Sequence, residues 1–204
     1  MSTLSNVRST ISELQGDRTR MMLFALDNLI WPILLVAFIV FSLLLPEIFT
    51  QYRNIEFLLY TSAGLGAITL AEAICLISGN FDLSVGSVAG FSSMFTALAL
   101  TSWFPSLPGV AGILIVLAVG GTIGFMNGFF IAKFDVNPFL QTLSALIVFE
   151  GGILVLSTRS VYELPESYLW LGGEDVSLGG LLPQSVPVAV IFMLALFITV
   201  WFVL

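Results

Sequence analysis

The 204-residue sequence predicts an all-α fold, a polytopic helical membrane protein of about six transmembrane helices, with discontinuous ones among them. Two observations predict it. Hydrophobic residues make up 58% of the chain and charged residues 9%, where a soluble domain carries charge on about a quarter of its positions. The apolar residues also lie in long continuous runs, 29–45 and 186–204 among them. Barrel strands would instead show short alternating segments. About 20 apolar residues cover the roughly 30 Å of bilayer hydrocarbon, and backbone amides in lipid pair only within a helix or a closed barrel. A disordered chain is excluded by the same figures, since it needs low hydrophobicity and high net charge.

Residues 1–20 are polar and carry Arg8, Arg18 and Arg20 beside Glu13 and Asp17. The first apolar run, 21–48, is too long for a cleaved signal peptide and lacks a small-x-small site near its end, so a retained anchor is expected. The second run covers 55–78 and the third 85–102, separated by the polar residues 79–84. A turn with Pro105, Pro108 and Trp103 leads to the fourth run at 110–132. The fifth covers 138–157, and the sixth, 186–204, follows a polar loop at 158–185 that holds Glu163, Glu166, Glu174 and Asp175. That loop has room for a short helix or hairpin but not for a domain. The reading is therefore one transmembrane domain, 21–204, behind a short N-terminal segment, 1–20.

Orientation follows from Lys and Arg, which favour the cytoplasmic side. With the N-terminus inside, Arg8, Arg18, Arg20 and Lys133 fall in the cytoplasm and Arg53 and Arg159 outside. The long acidic loop is then external.

Composition excludes much chemistry. The chain has no histidine and a single cysteine, Cys75, which removes Ser-His-Asp and Cys-His catalysis, His-based metal sites and any intramolecular disulfide. No enzyme activity, metal or cofactor is expected. The only lysine, Lys133, ends the stretch G-F-F-I-A-K, and nothing in the chain has the G-x-x-x-x-G-K-[ST] form of a nucleotide-binding loop. If transport here consumes ATP, another polypeptide hydrolyses it. A net charge of −7 argues against nucleic acid as a partner.

The scarce polar residues mark the informative places. The stretch 79–87 reads G-N-F-D-L-S-V-G-S. Asp82 is suited to accept from amides at the start of the third helix, and local physics favours that structural reading. The functional reading is a broken helix whose polar end, with Asp82 and Ser84, faces a solute path. Gly86 and Gly90 form a small-xxx-small face, and Gly120, Gly124, Gly128 and Ala132 form a longer one along the fourth run. Close helix packing is the favoured use of both. Asn127 can bond across helices. Glu72 and Glu150 are carboxylates inside apolar runs, where charge is expensive. Glu72 reads equally as a path residue and as a protonated structural one. Pro138 after Asn137 fits the first turn of a helix.

These residues also carry a resemblance. G-N-F-D-L-S-V-G-S at 79–87, with Gly79, Asp82, Ser84, Gly86 and Ser87, resembles the G-x-D-L-S-V-G-S segment of membrane permeases from bacterial ABC sugar importers of the ribose/xylose/galactoside type. About forty residues on, G-F-M-N-G-F-F-I-A-K-F-D-V-N-P-F-L-Q-T-L at 124–143 is similar to that family's second segment. Its matches include Gly124, Asn127, Gly128, Pro138, Phe139, Thr142 and Leu143. Asn80-Phe81 departs from the family's more usual Gly-Ile before the aspartate. Family members continue past the sixth run into a cytoplasmic loop and further spans, so the resemblance implies the N-terminal part of a permease.

What the resemblance implies is a permease subunit in the bacterial inner membrane that passes a monosaccharide or similar small polar solute. Its partners would be an ATP-binding subunit, a periplasmic solute-binding protein and a second permease copy, identical or not. Two rivals stay open: a secondary carrier that binds a proton at Glu72 or Glu150, and a membrane scaffold that transports nothing.

Overall fold

The computed structural model describes residues 22–23, 26, 28–173, 175–176 and 185–204. Residues 1–20, expected to form a cytoplasmic segment, lie outside the described residues, as do 174 and 177–184 of the external loop. The chain divides into two compact units, Met1–Ile55 and Glu56–Leu204.

In the first unit, α1 (Ile30–Leu44) is broken at Leu45, because Pro46 has no amide to donate and starts a new short helix, α2 (Pro46–Phe49). The ring of Phe49 folds back on Phe38 and Phe41, at centroid distances of 5.4 and 5.6 Å. Asn54 donates to the Phe49 carbonyl at 3.1 Å, which ties down the end of the turn.

The second unit is a helical bundle. Most of α3 (Tyr52–Ile77) belongs to it, followed by α4 (Val85–Leu98), which runs on into a π-helical turn, Ala99–Trp103. Then come α5 (Gly109–Phe134), α6 (Pro138–Leu156), the short α7 (Glu166–Gly173) and α8 (Val188–Val203). A two-residue antiparallel ribbon joins β1 (Asp175–Val176) to β2 (Val186–Pro187), with Val176 opposite Val186. The loop at 158–185 thus supplies both a helix and a strand of a ribbon.

Among the described residues, four helical segments are long and apolar enough to cross a membrane: α3, α4 with its π turn, α5 and α6. The protein is an all-α, multi-pass membrane protein. The expected first and sixth spans appear as shorter helices of 15 and 16 residues, about 22 to 24 Å at 1.5 Å per residue. Pro46 ends α1 before the first apolar run does.

Ends of helices are set by local chemistry. α3 stops at Gly79, whose φ of +81° is open to glycine at no steric cost. There Gly79 N–H bonds the Leu76 carbonyl at 2.9 Å and Asn80 N–H the Cys75 carbonyl at 3.0 Å, the paired closure that satisfies the last free carbonyls of a helix. α6 begins with Pro138 at its first position, and the Asn137 carboxamide oxygen accepts from the amides of Phe139 at 2.9 Å and Leu140 at 3.4 Å.

Packing centres on α4, which lies closest to α6 and α5, while α7 sits against α5 and α8. Glycines permit the tightest approaches. A Cβ on Gly152 of α6 would stand 2.9 Å from Phe91 Cε2, and one on Gly112 of α5 would stand 2.6 Å from Leu100 Cδ1 and 2.7 Å from Tyr168 Cδ2. α7 also closes the start of α5, where Gly109 N–H donates to Ser167 Oγ at 3.1 Å. Burial of Tyr168 against this end of α5 pushes its phenol pKa above the ordinary 10.

Candidate functional site

The link between α3 and α4 is where the polar side chains meet. Asp82 accepts from the Ser84 amide at 2.8 Å and from the Ser84 hydroxyl at 2.6 Å. Ser84 is the residue that precedes the first turn of α4, and its own side chain makes no capping bond there. Asp82 therefore organises the turn before the helix. The expected capping contact falls one step early, on Ser84.

Ser84 is 1% exposed, and its hydroxyl accepts from Asn127 Nδ2 of α5 at 3.1 Å. The Asn127 carboxamide oxygen in turn accepts from Gln141 Nε2 of α6 at 3.1 Å. One hydrogen-bonded series, Asp82–Ser84–Asn127–Gln141, thus fastens the entry of α4 to α5 and α6. Ser87 donates to the Ser84 carbonyl at 2.9 Å. Thr142, also 1% exposed, donates to the Pro138 carbonyl at 2.9 Å and reaches the Phe81 carbonyl at 3.5 Å, which brings the α3–α4 link down onto α6.

A groove of about 350 Å³ opens beside this series, within the usual size of a small-molecule site. Asp82, Ser84, Ser92 and Asn127 line it with polar groups. Val85, Val88, Ala89, Val116 and the backbone of Gly120 and Gly124 supply its apolar and bare walls. The lining holds one carboxylate and no thiol or imidazole, and most of its accessible wall is apolar, since Ser84, Ser92 and Asn127 are buried and Ser84 and Asn127 bond each other.

Asp82, Ser84 and Asn127 come together here. Glu72 does not: it is half-buried in α3, and only its neighbour Ala71 lines the groove. Glu150 is exposed on α6. The glycine stripe also behaves differently from a packing face. A Cβ at Gly86, Gly124 or Gly128 would meet nothing within 4 Å, and one at Gly120 would meet only Ser92 Oγ at 3.4 Å. Packing inside this chain is served by Gly66, Gly90, Gly109, Gly112 and Gly152 instead, because those are the places where a neighbouring side chain or backbone presses in; of the expected Gly86 and Gly90 pair, Gly90 meets Ile153 of α6. Gly120 and Gly124 form part of the groove wall.

Two residues of the site escape the sequence reading, Gln141 and Ser92. Gln141 stands in the stretch 124–143 at a position the family segment leaves free, and the only signal was a long polar side chain one turn into an apolar helix. Ser92 carried no signal, since a lone serine in a span usually bonds its own helix.

Residues 54–204 match the family described as branched-chain amino acid transport system / permease component. Among curated relatives, the L-arabinose ABC transporter permease protein of Azospirillum brasilense is 33% identical over 142 residues, 69% of this chain and 41% of that protein. The D-allose transport system permease protein of Escherichia coli is 31% identical over 172 residues, 83% of this chain and 50% of that protein. The xylose transport system permease protein of Haemophilus influenzae is 32% identical over 117 residues, 57% of this chain and 31% of that protein. The chain thus spans at most about half the length of these relatives. No solved structure matches it significantly. With three quarters of its length matched, groove and hydrogen-bonded series included, the chain belongs to this family of membrane permease components, which are not themselves catalytic.

Proposed function

We propose that the chain forms the solute path of an ATP-binding-cassette importer for a monosaccharide or similar small polar solute. The observation that carries this reading is the groove between membrane-length helices, lined by Asp82, Ser84 and Asn127. Carboxylate, hydroxyl and amide groups exchange hydrogen bonds with a hydroxyl-rich solute as it leaves water, which lowers the cost of taking it into the bilayer. The named transport of L-arabinose, D-allose and xylose by relatives supports a sugar as the solute class.

ATP hydrolysis falls to a separate cytoplasmic subunit, in keeping with the lack of a nucleotide-binding loop in the sequence. A periplasmic binding protein delivers the solute, and a second permease copy completes the path. The membrane is the inner membrane, as in the name of a related Escherichia coli permease, with the N-terminus cytoplasmic by the Lys and Arg distribution.

Uptake of labelled pentoses and hexoses in cells that carry the whole transport operon tests the proposal. Deletion of this gene should abolish uptake of at least one sugar, and that uptake should stop when ATP is depleted. Unchanged uptake across the panel sinks the proposal. Uptake that survives ATP depletion but collapses with the proton gradient replaces it with a proton-coupled carrier.

A further inference from the structure

The polar residues of the groove differ in one respect. Asp82, Ser84 and Asn127 bond one another, whereas Ser92 is 2% exposed and its hydroxyl has no hydrogen-bond partner among the described residues. Its neighbours on α4 show the ordinary alternative. Ser87 bonds the Ser84 carbonyl at 2.9 Å and Thr96 bonds the Ser92 carbonyl at 2.7 Å, each one turn back along its own helix. A buried hydroxyl left unbonded forfeits its hydration with no return, so one that lines a groove is a place where a partner belongs.

The position is defined along the groove. Ser84 faces Asn127 across α4 and α5. Two helical turns further, Ser92 faces Gly120, where an added Cβ would stand 3.4 Å from the hydroxyl oxygen. Eight residues along an α-helix span about 12 Å. Between the two points the walls are Val85, Val88, Ala89 and Val116. A single hydroxyl with no lining charge beside it suits a neutral hydroxyl group, since a carboxylate or ammonium there would be left uncompensated.

We propose that Ser92, opposite the bare backbone of Gly120, is a second contact point for the solute, about 12 Å along the groove from Asp82–Ser84–Asn127, and that it binds one hydroxyl of a neutral polyhydroxylated solute. This inference rests on the transport reading above. Ser92 is the specificity-determining contact at this point, and Gly120 presents no side chain across from it.

The test uses the intact transporter in cells that carry the full operon. It compares uptake, at concentrations well below saturation, of the transported pentose or hexose with that of its monodeoxy analogues. Ser92→Ala should lower uptake of the parent sugar about tenfold, the worth of one hydrogen bond. One monodeoxy analogue should be carried equally by wild type and Ser92→Ala, because the hydroxyl it lacks is the one Ser92 holds. Ser93→Ala, on the exposed side of the same turn, should leave every rate unchanged. Equal rates for the parent sugar in wild type and Ser92→Ala would overturn the inference, as would an equal loss for all analogues. Should Ser92→Ala fail to reach the membrane, Gly120→Ala decides the matter. Its methyl group covers the hydroxyl and should reproduce the analogue pattern, and unchanged rates overturn the proposal. If wild-type cells take up none of the sugars, the transport reading itself fails; a fault in Ser92 alone leaves wild-type uptake and its ATP dependence intact.

Discussion

Asn127 joins α5 to the start of α4 and to α6, and Asn127→Ala tests whether the bonds it makes hold the site together. The residue is 6% exposed, donates to Ser84 Oγ and accepts from Gln141 Nε2, both at 3.1 Å. Hydrogen bonds between membrane helices average about 0.6 kcal/mol and reach about 1.7 kcal/mol, because the separated helices find other partners. Removing two therefore costs about 1–3 kcal/mol. The lower half of that range is expected, since Ser84 keeps its bond to Asp82 and Gln141 is only half-buried. For a chain of this size that lower half corresponds to a fall in Tm of roughly 2–8 °C.

Thermal unfolding of the detergent-purified protein reads the shift. Gln141→Ala, which breaks only one of the two bonds, should fall by less, and the double variant by less than both changes added together. Thr122→Ala is the control, because the exposed Thr122 hydroxyl bonds only its own helix. A melting point for Asn127→Ala within about 1 °C of wild type would refute the reasoning, and so would strict additivity with Gln141→Ala.

Three further expectations come from the backbone and from burial. Gly152→Ala should destabilise by about 1–3 kcal/mol, as in other overpacked sites, because its Cβ would meet Phe91, whose ring is already held between Phe95 and Phe149. Gly151→Ala, with nothing within 4 Å of the new carbon, should be neutral or slightly stabilising; unfolding in detergent compares the pair. Gly79→Ala should cost about 1 kcal/mol, since an alanine resists the φ of +81° that closes α3, while Gly79→Asn should cost less by the same measurement. Tyr168, half-buried against α5, should ionise above the ordinary phenol value in an ultraviolet titration. Its neutral form is favoured by folding, so its contribution is complete below about pH 10 and is lost as pH rises through the higher folded value. Tyr168→Phe should remove that part of the alkaline loss.

Much of the architecture was legible in the residues alone. Bilayer thickness and the need to pair every backbone amide leave long apolar runs one choice of structure, so the helical class follows from composition and run length, while four of the six expected spans appear at full length among the described residues. Breaks were legible where a residue type forces them, as with Gly79, Asn137 and Pro138. So was the family, because 79–87 and 124–143 are local patterns that need no folding to be recognised.

What the tertiary structure decided is which polar residues share a place. Glu72 and Asp82 looked alike as carboxylates next to apolar stretches, yet only Asp82 lines the groove. Gly120, Gly124 and Gly128 looked like a packing face from their spacing of four, yet the helix presses its neighbours at Gly109 and Gly112. Spacing along a helix determines which residues share a face, and it is silent on what that face meets. Nor could it reveal Gln141 beside Asn127 or the unbonded hydroxyl of Ser92, since both depend on where α4 and α6 lie against α5. In a chain so poor in polar groups, the sequence determined that each one matters, and the packing of three helices decided what each one does.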